Sequence, residues 1–226
     1  FAVAAQPKER APSYRNERVL VASDAKDARH YLAFPDVLDL GDQVLVAFKR
    51  GQRHADDVGA VIDSIRIDKN EDRVVASQVV AQVDNRIMQM GDWVRYPNGD
   101  IGLYVDVQTI DGGRNRTGMV GTRSTDGGRT FPKVERVGLI DGVEYGYPFE
   151  FIVEGTTTWM LAMTFSNLPG GYSVYGPRPQ AGQVCVLRSD DSGRSWSLVR
   201  NLSREFGDLP INESSFVRYA DGFLVI

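Results

Sequence analysis

The sequence predicts an all-β fold, a propeller of four-stranded blades, and two internal repeats carry that prediction. The first repeat is an eight-residue phrase found twice, 65 positions apart: Ser124-Thr-Asp126-Gly-Gly128-Arg-Thr130-Phe131 and Ser189-Asp-Asp191-Ser-Gly193-Arg-Ser195-Trp196. The second is a strand, tight turn, strand segment found four times, at 37–48, 94–105, 151–163 and 217–226. Its turn glycines, Gly41, Gly99, Gly155 and Gly222, are spaced 58, 56 and 67 residues apart. A fixed period of this length marks arrays and propellers. No segment has a helical period; short alternating runs are broken by Gly, Asn and Asp.

Each element has a local reason. In the phrase, Ser and Asp side chains cap backbone N–H groups and the glycine supplies a left-handed position. The terminal aromatic anchors the turn to a sheet. The polar groups of the phrase are thereby spent on the turn, which reads as structural and not catalytic. The phrases fall between hairpins two and three and between hairpins three and four. Asp63 to Asp72 holds the same place after hairpin one and reads as a degenerate copy. Each unit therefore has about four strands, one blade. Four hairpins make three blades and the start of a fourth, so the chain is expected to cover about four blades, with residues 19–226 forming an incomplete propeller.

Composition narrows the function. The 226 residues are 42% hydrophobic and carry a net charge of -4, which is not the basic balance of a non-specific nucleic-acid binder. No run of 18 apolar residues exists, so no membrane insertion is expected. The 21 arginines far outnumber the 5 lysines, a choice that suits either anion recognition or codon bias. The lone Cys185 sits in an apolar run and reads as a small buried hydrophobe. Residues 1–18 read as an extension. Phe1-Ala-Val-Ala-Ala-Gln6 has the look of a signal-peptide remnant, which points to a secreted or periplasmic protein. No cofactor or metal spacing is present.

Strand geometry selects candidate site residues. In an antiparallel hairpin the start of the first strand and the end of the second share one edge. If blades radiate from an axis, those edges ring one mouth. The candidates are Arg29, His30, Tyr31, Arg50, Arg53, His54, Asp56 and Asp57 from the first blade, and Arg86 and Asp106 from the second. Tyr145, Tyr147, Glu150 and Asn167 come from the third, and Asn212 and Glu213 from the fourth. A long Pro/Gly-rich loop over 166–180 adds Tyr172 and Tyr175, placed to stack on a sugar.

The repeated phrase resembles the Asp-box of the sialidase (neuraminidase) superfamily, also called the bacterial neuraminidase repeat, and the likeness runs along essentially the whole chain. It implies a six-bladed propeller of sialidase type. It also implies an exo-acting glycoside hydrolase with sialic acid as default substrate. Such sites use three arginines on the substrate carboxylate, an aspartate acid/base and a Tyr–Glu nucleophile pair. The family's glutamate phrase matches Asn212-Glu213-Ser-Ser-Phe-Val217, which assigns Glu213. Asp56 or Asp57 takes the acid/base place and Arg53 an arginine place. Arg86, Arg29, His54 and Tyr147 are the remaining substrate contacts. One departure matters: the family's Arg-Ile-Pro opening is Ala33-Phe34-Pro35 here. The third arginine and the Tyr nucleophile are expected beyond Ile226. Two alternatives stand beside the hydrolase: a glycan- or protein-binding propeller without catalysis, and a polysaccharide lyase using His54.

Overall fold

A computed structural model describes residues 19–55, 57–108, 116–164, 182–209 and 211–226. Three four-stranded antiparallel sheets follow one another along the chain. The first holds β1 (Tyr31–Asp39), β2 (Gln43–Gly51), β3 (Val61–Asp68) and β4 (Arg73–Ala81). The second holds β5 (Ile87–Arg95), β6 (Ile101–Gln108), β7 (Arg116–Ser124) and β8 (Val134–Arg136). A small hairpin of β9 (Leu139–Ile140) and β10 (Val143–Glu144) leads to the third sheet. That sheet holds β11 (Pro148–Glu154), β12 (Thr157–Thr164), β13 (Gln183–Ser189) and β14 (Ser197–Asn201). A one-turn helix, α1 (Leu202–Glu205), precedes a final hairpin of β15 (Phe216–Tyr219) and β16 (Gly222–Val225).

In every four-stranded sheet the strand order is the chain order, the simplest meander. Among the described residues the chain forms three four-stranded sheets and two two-stranded hairpins. The first strands of successive sheets pack on one another, β1 on β5, β5 on β11 and β11 on β15. Between sheets lie three apolar clusters. Leu45, Ile62, Trp93 and Leu103 fill the first, Val94, Tyr104, Met160 and Leu187 the second, and Leu161, Val184 and Phe216 the third. Each fully buried aliphatic side chain contributes roughly 1.5–3 kcal/mol, so these clusters hold blade to blade.

Both Asp-box phrases form the expected turn between the third and fourth strands of their sheets. Ser124 Oγ accepts the Gly128 N–H at 2.7 Å and donates to Asp126 Oδ1 at 2.6 Å. Asp126 Oδ1 also accepts the N–H groups of Arg129 (2.9 Å) and Thr130 (3.0 Å). Ser189 and Asp191 repeat the pattern with Gly193, Arg194 and Ser195. The aromatics tuck under as expected, Phe131 against Trp93 and Trp196 against Tyr104. The degenerate copy is shorter than its sequence span: Asp63 lies inside β3, paired with Arg50, and the turn begins at Asp68, which caps Asn70 and Glu71. The fourth hairpin also differs. Its left-handed turn residue is Ala220 (φ 49) instead of Gly222.

Cys185 is buried as expected, and burial pushes its thiol up to about 11. Among the described residues no helix is long and apolar enough to cross a membrane.

Candidate functional site

Strand starts in β1, β5 and β11 and strand ends in β2, β6 and β12 lie at one end of the sheets. The box turns lie at the other. At the first end, the chain between β2 and β3 folds back on β5: Val58 bridges Ile87, and the Gly59 N–H donates to the Arg86 carbonyl at 3.2 Å. This loop is built round Lys49, which is fully buried. Its Nζ donates to the His54 carbonyl (2.9 Å) and to Gln89 Oε1 (3.2 Å) and lies 3.6 Å from Asp57 Oδ2. Asp57 Oδ2 in turn accepts the N–H groups of Gln52 (2.7 Å) and Arg53 (3.2 Å). At Gly51 a Cβ would sit 1.9 Å from that same oxygen, so the close approach requires glycine.

This geometry places Asp57 beneath the loop, not on its surface. The residue is only 2% exposed, and its carboxylate is occupied by loop N–H groups and a buried ammonium. A buried charge pair of this kind anchors a loop, and loss of either partner leaves the other charge uncompensated. What the loop presents to solvent is Arg53 and His54. His54 Nδ1 is 3.0 Å from the Tyr31 hydroxyl, and its ring rests on Phe34. Arg86 is half-buried, with Nη1 on the Asn85 carbonyl at 3.2 Å. Arg29 is half-buried, and its backbone N–H is tied to Asp27. Tyr147 stacks on Phe149 and accepts a 3.2 Å hydrogen bond from Gln108, which also donates to the buried Asp106 at 2.6 Å. Glu213 is exposed on the segment that enters β15. Asp56, Asn167, Tyr172, Tyr175 and the extension at 1–18 lie outside the described residues. The structure thus places Arg53 and His54 on the loop whose Gly59 N–H meets the Arg86 carbonyl, with Asp57 bonded to Arg53 from beneath and Glu213 on the segment before β15.

The sheets bring together a group that the sequence reading left apart. Asp36 on β1, Asp92 on β5 and Glu150 on β11 each come from the innermost strand of a different sheet, and all three line one cavity of about 210 Å³. A bulge precedes Asp36, Asp92 and Glu150 in its strand. Such bulges re-aim a side chain. Asp36 Oδ2 accepts the Trp93 N–H at 2.6 Å, next in chain to Asp92. Glu150 Oε2 accepts from Ser215 Oγ at 2.6 Å. Asp92 lies between them, and its Oδ2 is buried without a hydrogen-bond partner. Burial first, and then the charges of Asp36 and Glu150, hold the Asp92 carboxyl well above the usual carboxylate range. A raised carboxyl beside two others in a cavity is the arrangement from which acid and base roles can be divided. Among the described residues no group of three His, Cys, Asp or Glu is placed to hold a metal ion.

The sequence did carry a signal for this group. Each carboxylate interrupts a short apolar run: Phe34-Pro-Asp36-Val-Leu38, Gly91-Asp92-Trp-Val94 and Phe149-Glu150-Phe-Ile152. Glu150 was among the mouth candidates; Asp36 and Asp92 were not.

No protein-family model and no curated protein matches the chain. Solved structures do. A protein of unknown function from Dyadobacter fermentans superposes with a TM-score of 0.67 at 14% identity, over 90% of this chain and 64% of that one. A GH32 beta-fructofuranosidase from Bombyx mori, in complex with sucrose, gives 0.54 at 12%, over 85% and 40%. An alpha-L-arabinofuranosidase from Clostridium thermocellum gives 0.54 at 10%, over 91% and 64%. The chain spans less than two thirds of the length of each. At these identities the likeness establishes the fold, a β-propeller of the kind found in glycosidases.

Proposed function

We propose that the protein is a glycoside hydrolase that admits a terminal sugar at the mouth and cleaves it with the axial carboxyls. The observation that carries this is the convergence of Asp36, Asp92 and Glu150 on one cavity from three successive inner strands. Glycosidic hydrolysis needs an acid to protonate the leaving oxygen and a carboxylate on the other side of the bond. Asp92 is the acid in this reading, because burial and the charges of Asp36 and Glu150 raise its carboxyl well above the usual carboxylate range. Asp36 and Glu150 each hold one oxygen on a neighbouring N–H or O–H and offer the other. One of them serves as the opposing carboxylate.

Arg53, Arg86, Arg29, His54 and Tyr147 are the proposed sugar contacts at the mouth. Glu213 and Asp56 belong to the rim in this reading, with Glu213 two residues from the Ser215 that holds Glu150. Sialic acid remains the substrate that the Asp-box resemblance implies, and the rim arginines would be its carboxylate partners. A closed ring of six blades and an extracytoplasmic location are likewise proposed for the whole protein. The resemblance of the folds to a fructofuranosidase and an arabinofuranosidase adds neutral furanosides to the substrates to be tried.

The test is turnover of an aryl-glycoside panel that includes a sialoside, an arabinofuranoside, a xyloside and a fructoside. Release of one aglycone, lost in Asp92→Asn, supports the proposal and names the sugar. A folded protein that is silent across the panel yet binds a glycan by calorimetry would replace the hydrolase by a binding propeller.

A further inference from the structure

The two junctions between blades are built alike, which allows a comparison inside one molecule. In each, an arginine near the end of the third strand reaches the next blade's box: Arg66 donates to the Gly127 carbonyl and Arg123 to the equivalent Ser192 carbonyl. In each, the box then offers its own arginine, Arg129 or Arg194, to a cavity at the junction. Strand pairing sets the other equivalences. Gln43 and Asp100 precede matching pairs, Val44 with Ile67 and Ile101 with Ser124, and each accepts Nη1 of its arginine. Gln78 opposite Ser64 matches Glu135 opposite Gly121.

The charges at these matched places differ. At the second junction Asp100 and Glu135 balance Arg123 and Lys133, each in an ion pair. At the first junction both acids are glutamines. Among the described residues neither Arg66 nor Arg129 makes an ion pair with a carboxylate. The nearby Asp126 has its oxygens filled by Ser124, Thr130 and the Arg129 N–H. Burial, and then the positive charge of Arg129, lower the Arg66 guanidinium from its ordinary value and outweigh the opposing charge of Asp126. Ser64 lies on the same face of β3 as Arg66, two residues before it. Its Oγ is buried and has no hydrogen-bond partner. These groups line a cavity of about 230 Å³ at the box end of the blades, away from the mouth.

We infer that the junction of the first two blades binds a small oxyanion, a sulfate or carboxylate group, between Arg66 and Arg129. Two guanidiniums that, among the described residues, have no carboxylate in an ion pair with them, beside amide and hydroxyl donors, are the chemistry such a group requires. The site is independent of the axial carboxyls and of the hydrolase reading. It would hold either a free ion or an anionic substituent on a glycan, anchoring the chain end away from the mouth.

The test is titration calorimetry of sodium sulfate at fixed ionic strength, beside a sulfated disaccharide and its neutral counterpart. One saturable sulfate site is expected. Gln78→Glu copies the acid of the second junction and should weaken binding about tenfold or more, as should Arg129→Gln, each with an unchanged circular dichroism spectrum. Lys133→Gln, at the second junction, should leave it unchanged. Tighter binding of the sulfated disaccharide than of sulfate would identify a glycan-borne group; equal binding would identify the free ion. Heat that does not saturate at matched ionic strength, or a site indifferent to both Gln78→Glu and Arg129→Gln, would overturn the inference.

Discussion

Arg66 and Gly127 stand 61 residues apart in the chain and are joined by a 2.8 Å hydrogen bond from guanidinium to carbonyl. Arg123 makes the same bond to Ser192 one blade later, and adds Asp100 at 2.9 Å and the face of Tyr96 at 4.4 Å. Arg66 and Arg123, at matching places in β3 and β7, thus clasp the next sheet. Among the described residues the side chain of Arg188, the third in the series, meets its local Asp190 and the Trp159 ring. Arg123→Met should therefore lower stability by about 2 kcal/mol in urea unfolding, because a buried carbonyl and a carboxylate lose their donor. Arg188→Met should cost about 0.5 kcal/mol or less, as exposed pairs do.

The box glycines should divide by what surrounds them. Gly193 is left-handed (φ 75), and a Cβ there would lie 2.2 Å from the Tyr96 hydroxyl, which is itself buried. Gly193→Ala should cost about 3 kcal/mol, combining left-handed strain with overpacking. Gly127 is equally left-handed (φ 73), but the nearest atom to its Cβ is the end of Arg129 at 3.9 Å. Gly127→Ala should cost only about 1 kcal/mol, the backbone term alone. Chemical denaturation of the pair separates packing from conformation.

Acid should weaken the boxes. Burial raises the Asp191 carboxyl, but hydrogen bonds from Ser195, Ser189 and the Arg194 N–H outweigh it and hold it down at about 2. A carboxylate depressed in the folded state contributes stability that is present above its unfolded value, near 3.9, and is lost as pH falls through the folded value. The contribution should disappear between about pH 4 and pH 2. Urea midpoints measured across that window should fall less steeply for Asp191→Asn than for the native chain.

Asp92 has the opposite sign. Its carboxyl is raised in the folded state by burial, Asp36 and Glu150. The proton it retains stabilises the fold below the unfolded value, near 3.9, and that stability is lost as pH rises towards the folded value. Asp92→Asn removes the cost. The variant should be more stable than the native chain at neutral pH and above, while losing turnover, the trade expected where a site is strained for function. Melting temperatures from pH 4 to pH 9 check the direction.

How much of this was legible in the sequence follows range. The boxes were readable because Ser124, Asp126 and Gly128 bond within five residues, and local chemistry repeats locally. The hairpins were readable from alternation and from turn glycines such as Gly41 and Gly99, both left-handed. The group of three carboxyls was not, because Asp36, Asp92 and Glu150 meet only through the packing of the first strands of three successive sheets. The surroundings of Asp57 were hidden for a related reason. Nothing adjacent in sequence tells a loop carboxylate that Lys49, at the end of the buried run Ala47 to Lys49 of β2, lies beneath it. The equivalence of Gln43 with Asp100, and so the uneven charge of the two junctions, needed strand register as well.

The most direct test of the central claim is the rate of glycoside hydrolysis in three single variants, Asp92→Asn, Glu150→Gln and Glu213→Gln, on whichever panel substrate the native protein turns over. A fall of at least about a hundredfold in kcat is expected for Asp92→Asn and Glu150→Gln, with Glu213→Gln affecting mainly KM. The reverse pattern, with kcat abolished by Glu213→Gln and retained by Asp92→Asn and Glu150→Gln, would contradict it and return the chemistry to the rim.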